Sequence, residues 1–297
     1  MPGELIAIAG PTAAGKSAVA LHLAQRLEGE IISVDSMQVY RGMDVGTAKP
    51  SRGERQLVPH HLIDILDISE RFDAAQFVRR AEAVMADIRD RGRTPILCGG
   101  TGLYFKALFA GLGAAPPADP ELRAALENSP SEELLAELKG GDPVTFAAID
   151  QRNRRRLIRA VEVIRLTGRP FSEQRSTWAG ARNKGTLLVL TRRQLQKRID
   201  ERVEKMFRDG LIDETQRLLK AGLDQNEVAM QALGYRQVCE HLRGELGLQE
   251  TVELVKVRTR QFAKRQLTWF RRQAAKWVEL EEDEDPRTTV ERLGLVL

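Results

Sequence analysis

The sequence predicts an α/β fold, a parallel sheet flanked by helices, with an all-helical insertion. Three observations predict it. Short apolar runs alternate with stretches of helical period, and no hairpin dipeptide joins one run to the next. The first run leads straight into a glycine-rich loop and then an amphipathic helix. One internal segment, by contrast, carries only helical signals. Alternation of this kind argues for parallel strands covered by their connecting helices.

Each element can be justified in turn. "LIAIA" (5–9) is continuously apolar, as a strand buried on both faces must be. "GPTAAGKS" (10–17) follows, and Val19, Leu23 and Leu27 then repeat at helical spacing. "EIISVDS" (30–36) reads as a second buried strand that ends in polar Asp35 and Ser36. Asp73 and Gln76 form a capping box, Phe77, Ala81, Val84, Met85 and Ile88 line one helical face, and Gly92 suits the helix end. "TPILCGG" (94–100) is a third strand and "TLLVLT" (186–191) a fourth. Between them, "GLGAAPPADP" places three prolines in ten residues, and helical signals alone continue to about 182. The expected organisation is therefore a first part of the core at 1–111, a helical insertion at 112–182, and completion of the core with basic helices at 183–297. The last stretch reads as mostly helical, with "RIDERVEKMFRDGLIDETQRLLKAG" its clearest amphipathic run.

The chain has 297 residues, of which 42% are hydrophobic and 30% charged, so a soluble globular protein is the default. No apolar run approaches the roughly 18 residues of a membrane span. No secretory signal precedes the first strand. Two cysteines, Cys98 and Cys239, without metal-ligand spacing, speak against a disulfide framework or a zinc site and fit a reducing cytoplasm. The net charge of +4 is unevenly spread. Residues 151–175 carry eight Arg against two Glu, and residues 251–277 carry eight Lys or Arg against one Glu, which leaves the remainder acidic. Such segregation suits a polyanionic partner, although two solvated helix faces would give the same count.

The spacing G-x-x-x-x-G-K-S over Gly10, Pro11, Thr12, Ala13, Ala14, Gly15, Lys16 and Ser17 is that of a phosphate loop, and the sheet is accordingly expected to be P-loop NTPase-like. Backbone amides and the helix N-terminus would cradle phosphate oxygens, Lys16 would add a point charge, and Ser17 would reach a magnesium ion. The loop specifies phosphate without specifying a nucleotide. The third strand ends in "CGGTGLY", with no acid to serve a metal as NTPases require. Asp35 at the end of the second strand suits either that duty or general-base chemistry at an acceptor. "DSMQVYRGMDVGTAKP" (35–50) is too long and polar for a plain connection and reads as a functional loop. The glycines around Thr101 permit close approach to a ligand. His60 and His61 are adjacent and lack a third ligand at a useful spacing, so they read as structural.

Seven motifs in order, "GPTAAGKS", "DSMQVYRGMDVGTAKP", "VPHHLIDI", "CGGTGLY", "QRNRRRLIRAVEV", "ALGYRQ" and "AKRQLTWFRR", make the chain resemble the tRNA dimethylallyltransferase (isopentenyl-tRNA transferase) family of bacterial type. The resemblance implies transfer of a five-carbon allyl group from dimethylallyl diphosphate to the exocyclic amine of the adenosine at tRNA position 37. It implies that residues 10–17 hold the diphosphate with magnesium, with Arg193 and Arg198 as further candidates, and that Asp35 and Thr101 stand at the transfer centre. Asp35, Ser36, Met37, Gln38 and Thr101 would receive the flipped base, because a stacked base cannot reach a buried donor. Arg123, the segment Gln151, Arg152, Asn153, Arg154 and Arg155, the segment Gly234, Tyr235, Arg236 and Gln237, and the pair Lys264 and Arg265 would contact the anticodon stem-loop. On a helix, Arg152, Arg155, Arg156 and Arg159 share one side opposite Leu157, Val161 and Ile164. Lys256, Arg260, Lys264 and Arg271 form a second stripe, and Trp269 and Phe270 suit either base stacking or the core. The expected protein is a cytoplasmic monomer with no membrane partner. Two other readings stay open: a P-loop kinase of a nucleoside or small metabolite, and an RNA-binding protein using the loop as a nucleotide switch.

Overall fold

The structure is a computed structural model and describes residues 5–174, 185–273 and 275–294. Arg175, counted in the first basic segment, and the expected end of the insertion at 182 lie outside the described residues. The chain divides into two compact units, residues 1–105 with 184–297, and residues 106–183.

The first unit begins with β1 (Leu5–Ala9), α1 (Lys16–Arg26), β2 (Gly29–Val34), α2 (Arg52–Leu57), β3 (His60–His61), α3 (Ala74–Asp90), β4 (Thr94–Gly99) and α4 (Gly102–Ala110), whose second half belongs to the second unit. The second unit continues with α5 (Pro120–Asn128), α6 (Ser131–Gly141), α7 (Pro143–Ala148) and α8 (Arg154–Thr167). The first unit resumes with β5 (Gly185–Arg192), α9 (Leu195–Arg208), α10 (Leu211–Lys220), α11 (Tyr235–Leu242), α12 (Leu248–Phe270), β6 (Lys276–Leu280) and α13 (Pro286–Leu293).

The six strands form one parallel sheet in the order β3-β2-β4-β1-β5-β6. β1 lies between β4 and β5, and all five of its residues are buried. The alternate residues Ile6 and Ile8, Ile96 and Cys98, Leu188 and Leu190, and Val278 and Leu280 make one apolar layer with Val19, Leu23, Val290 and Leu293 of α1 and α13. That is the two-residue strand period packed against helices. On α3, Phe77, Ala81, Met85 and Ile88 are buried, Asp73 accepts from the Gln76 amide as its cap, and Gly92 follows with φ +71°.

The structure adds three details to the sequence expectations. His60 and His61 form a short edge strand: His61 Nε2 bonds the buried Glu30 carboxylate at 2.7 Å, and His60 Nδ1 bonds the Val58 carbonyl. The C-terminal stretch contributes β6 as well as helices; only Val278 and Leu280 of that edge strand are buried, so no continuous apolar run announces it. The long amphipathic run is two helices, broken at Gly210 with φ +99°.

The second unit packs Leu126, Leu134, Leu138, Leu157, Ile158 and Val161 into its own core. Glu162 is enclosed there, accepting from the Asp119 amide and pairing with Arg123 and Arg159, both at 2.7 Å. Among the described residues no helix is long and apolar enough to cross a membrane.

Candidate active site

A cavity of about 420 Å³ lies at the carboxyl edge of the sheet, where open α/β folds bind ligands. The ends of three strands build it: the loop after β1, the turn after β2 and the turn after β4.

The loop after β1 curls round the N-terminus of α1. Gly10 is required there: its φ is +144°, and a Cβ would stand 2.2 Å from the Leu190 carbonyl oxygen. Ala13 and Gly15 also have positive φ. α1 starts at Lys16 with no side-chain cap and no acidic residue in its first turn, so its amide donors are left for an anion. Thr12, Lys16 and Ser17 line the cavity, and Ser17 is exposed to it. Lys16 Nζ donates to the Pro11 carbonyl at 2.6 Å. Burial pushes its ammonium down to about 8; nearby Arg202 adds to the fall and Asp35 opposes it. Burial also pushes the Cys98 thiol up to about 11.

Helices α9 and α12 brace this loop. Arg198 Nε donates to the Ala13 carbonyl at 3.3 Å, so its guanidinium holds the loop from behind. Arg193, considered beside it, turns instead to Glu279 and Glu281. Sequence reasoning missed three residues here. Arg192 is buried and donates to the carbonyls of Glu281 and Glu282, with its Nε 3.5 Å from the Ala14 carbonyl. Gln266 accepts from the Thr12 amide and donates to the Gly100 carbonyl, each at 2.9 Å, joining the phosphate loop to the β4–α4 turn. Arg202 lines the cavity, and its buried Nε has no hydrogen-bond partner among the described residues. A legible signal existed for Arg202: it sits beside Val203 and one turn from Ile199, a cation on the apolar stripe of α9.

Asp35 and Thr101 face the same cavity. Asp35 Oδ1 accepts from the amides of Met37 (2.8 Å) and Gln38 (3.3 Å), an Asx turn that fixes the carboxylate. Thr101 Oγ1 accepts from the Ser36 amide at 3.2 Å, so the β2 and β4 turns are tied together. Gln38 Nε2 donates to the carbonyls of Thr47 and Ala48, and its Oε1 accepts from Ser33 Oγ. Ser36, Met37, Gln38 and Arg265 also line the cavity, whose apolar wall includes Val203, Met206, Leu233, Val255 and Phe262.

The remaining expected contacts divide by what their side chains do. Tyr235 is fully buried, Gln237 caps α11 by accepting from the Gly234 amide, and of that segment Arg236 alone is an exposed cation. The stripe on α12 is half committed: Lys256 pairs with Glu204 and Glu253, and Arg260 with Asp200, while Lys264 is exposed. Phe270 belongs to the core and Trp269 packs over Gly102. In the second unit, Arg154 donates to the carbonyls of Glu127 and Ser129 and so closes the end of α5. Asn153 Oδ1 caps α8. Arg123 and Arg159 hold Glu162, whereas Gln151, Arg152, Arg155 and Arg156 are exposed.

Comparison with known proteins bears on this geometry. Residues 38–273 match the family described as IPP transferase. The chain is 48% identical to tRNA dimethylallyltransferase 1 of Citrifermentans bemidjiense, over 90% of this chain and 89% of that one. It is 47% identical to the tRNA dimethylallyltransferase of Geobacter metallireducens, over 93% and 92%. Its structure resembles the full-length tRNA isopentenylpyrophosphate transferase of Bacillus halodurans with a TM-score of 0.74 and 40% identity, covering 99% of this chain and 95% of that one. It resembles a eukaryotic dimethylallyltransferase, solved acting on tRNA, with a TM-score of 0.83 and 27% identity, covering 98% and 78%.

Proposed function

Since this chain belongs to the IPP transferase family, we propose that the cavity at its sheet edge is where an allylic diphosphate meets a flipped adenosine. The chain is an enzyme that transfers a dimethylallyl group to tRNA. In our reading the donor is dimethylallyl diphosphate and the acceptor is the N6 amine of the adenosine at position 37, beside the anticodon. The observation that carries it is the shared cavity: phosphate-loop residues Thr12, Lys16 and Ser17 line it together with Asp35 and Thr101.

The chemistry follows from the residues. The diphosphate sits in the 10–17 loop against the free amides at the N-terminus of α1, with Lys16 and Arg202 as cations. Charge grows on it as the carbon–oxygen bond breaks, so donors already in place stabilise the transition state more than the ground state. The amine nitrogen forms its new bond to the allylic carbon and gives up a proton. Asp35, with Oδ1 held by two amides, takes or orients that proton. Thr101 fixes the Ser36 backbone beside it. Ser17 fits a magnesium ion bound largely by phosphate oxygens and water; no cluster of three His, Cys, Asp or Glu ligands occurs among the described residues, and this ion needs none. When bound, magnesium neutralises charge on the leaving diphosphate. The exposed Arg152, Arg155, Arg156, Arg236, Lys264 and Arg265 supply phosphate contacts for the stem-loop. We place the protein in the cytoplasm as a monomer.

The test uses the full chain, an anticodon stem-loop and dimethylallyl diphosphate, with ATP absent. Prenylated adenosine, read by mass, is the expected product. ATP-dependent phosphorylation of a small acceptor, with no prenyl transfer, would establish the kinase reading instead.

A further inference from the structure

One buried carboxylate near the cavity has no part in the chemistry above. Glu214 of α10 is 2% exposed. It accepts from the amides of Asp44 (3.0 Å), Val45 (2.8 Å) and Gly46 (3.1 Å), and from the Tyr235 hydroxyl (2.6 Å). Three successive amides round an anion form a nest. The anion here is the protein's own, reaching across about 170 positions of sequence. The fully buried Tyr235 ring closes the arrangement. A Cβ at Gly46 would stand 2.5 Å from that ring, so the approach requires glycine.

The gripped segment continues into the site. Gly46, Thr47 and Ala48 line the cavity. The carbonyls of Thr47 and Ala48 receive Gln38 Nε2, and the Gln38 amide donates to Asp35 Oδ1. A continuous chain of hydrogen bonds and peptide units thus runs from Glu214 to the proposed proton acceptor. None of these hydrogen bonds involves residues 10–17.

We propose that Glu214, locked by Tyr235, is a positioning residue for the transfer step: it fixes the 44–48 loop and, through Gln38, the orientation of Asp35 towards the acceptor amine. The inference rests on the prenyl-transfer reading. It assigns Tyr235 a supporting place beneath the acceptor wall.

The test compares Glu214→Gln with the wild type, measuring the single-turnover transfer rate to the stem-loop and, separately, the affinity for inorganic diphosphate. Gln keeps the length but turns an NH2 group towards amide donors. Misplacing the 44–48 loop should slow transfer about tenfold or more. Diphosphate affinity should stay within about twofold, because the 10–17 loop and the N-terminus of α1 are untouched. Tyr235→Phe keeps the ring, removes one of the four donors to Glu214, and should slow transfer by about threefold to fivefold. It serves as the primary variant where Glu214→Gln fails to fold. In a double-mutant cycle with Gln38→Ala, the second substitution should add less than about threefold, because both act along one chain. Unchanged transfer, a parallel loss of diphosphate affinity, or full additivity with Gln38→Ala would each overturn the proposal. Absence of transfer by the wild type would overturn the prenyl-transfer reading itself and is told apart by that control.

Discussion

Residues 10–17 and residues 35–50 face one cavity, yet the first loop bends through its own backbone with Arg198 and Gln266 bracing it, whereas the second is held at Ser36 by Thr101 and at residues 44–46 by Glu214. The first loop bends through the positive φ values of Gly10, Ala13 and Gly15 and opens its amides on the N-terminus of α1. The second has a local Asx turn at Asp35, but Thr101, Gln38 and Glu214 then hold it. A loop that presents amides to a leaving group needs fixed donors. A loop that receives a base must admit a bulky ligand and still return one carboxylate to the same place. The first requirement is met by backbone bends with Arg198 and Gln266 behind them, and the second by Thr101 and Glu214 holding the loop at two places.

If the two walls work separately, they should fail separately. Asp35→Asn should slow transfer by about 10²-fold or more, the scale of general-base loss. Its affinities for diphosphate and for the stem-loop should stay near wild type. Lys16→Met should do the reverse at the donor wall and weaken diphosphate while leaving stem-loop affinity intact. Rapid-quench transfer assays with separate binding titrations distinguish the two. A large loss of diphosphate affinity in Asp35→Asn would break the comparison.

Gln266 is the point where the walls meet, since it bonds Thr12 in one and Gly100 in the other. Gln266→Leu orphans a buried donor and a buried acceptor, at about 1–3 kcal/mol each. Both diphosphate affinity and the transfer rate should fall, each by about tenfold for a loss of 1.4 kcal/mol. The melting temperature should also drop. Loss at one wall alone would show that the bridge serves only that side.

The same contrast explains what the sequence disclosed. The phosphate loop was legible because its spacing, its strand and its helix are contiguous. Asp35 and Thr101 were legible as polar residues directly after buried strands, where ligands bind. Gln266 and Glu214 were not, because their partners lie 254 and about 170 positions away, and nothing local marks a Gln or Glu on an amphipathic helix as a brace. A charge run likewise does not show which of its cations the protein itself engages. Arg154, Arg159 and Lys256 look from the sequence like a surface for polyanions, but their side chains pair with carbonyls and carboxylates of the protein itself. Arg155 and Arg156, in the same run, remain exposed. β6 escaped because an edge strand buries only alternate residues, and two of five make no pattern.

The mildest test of the donor wall is pH. Burial depresses Lys16 to about 8 in the ligand-free protein. Below that pH its ammonium is charged and ready for diphosphate. Above it, the group is neutral, and binding must first draw a proton from solvent. Affinity for dimethylallyl diphosphate should therefore be about tenfold weaker at pH 9 than at pH 7, from the fraction protonated at each. Lys16→Arg keeps its charge through this window and should flatten that dependence, which separates the loop's titration from the ligand's own. Transfer in Asp35→Asn should keep the alkaline fall, because the titrating group belongs to the other wall. A profile in Lys16→Arg that still falls tenfold would move the titration elsewhere, with the Cys98 thiol at about 11 too high to supply it.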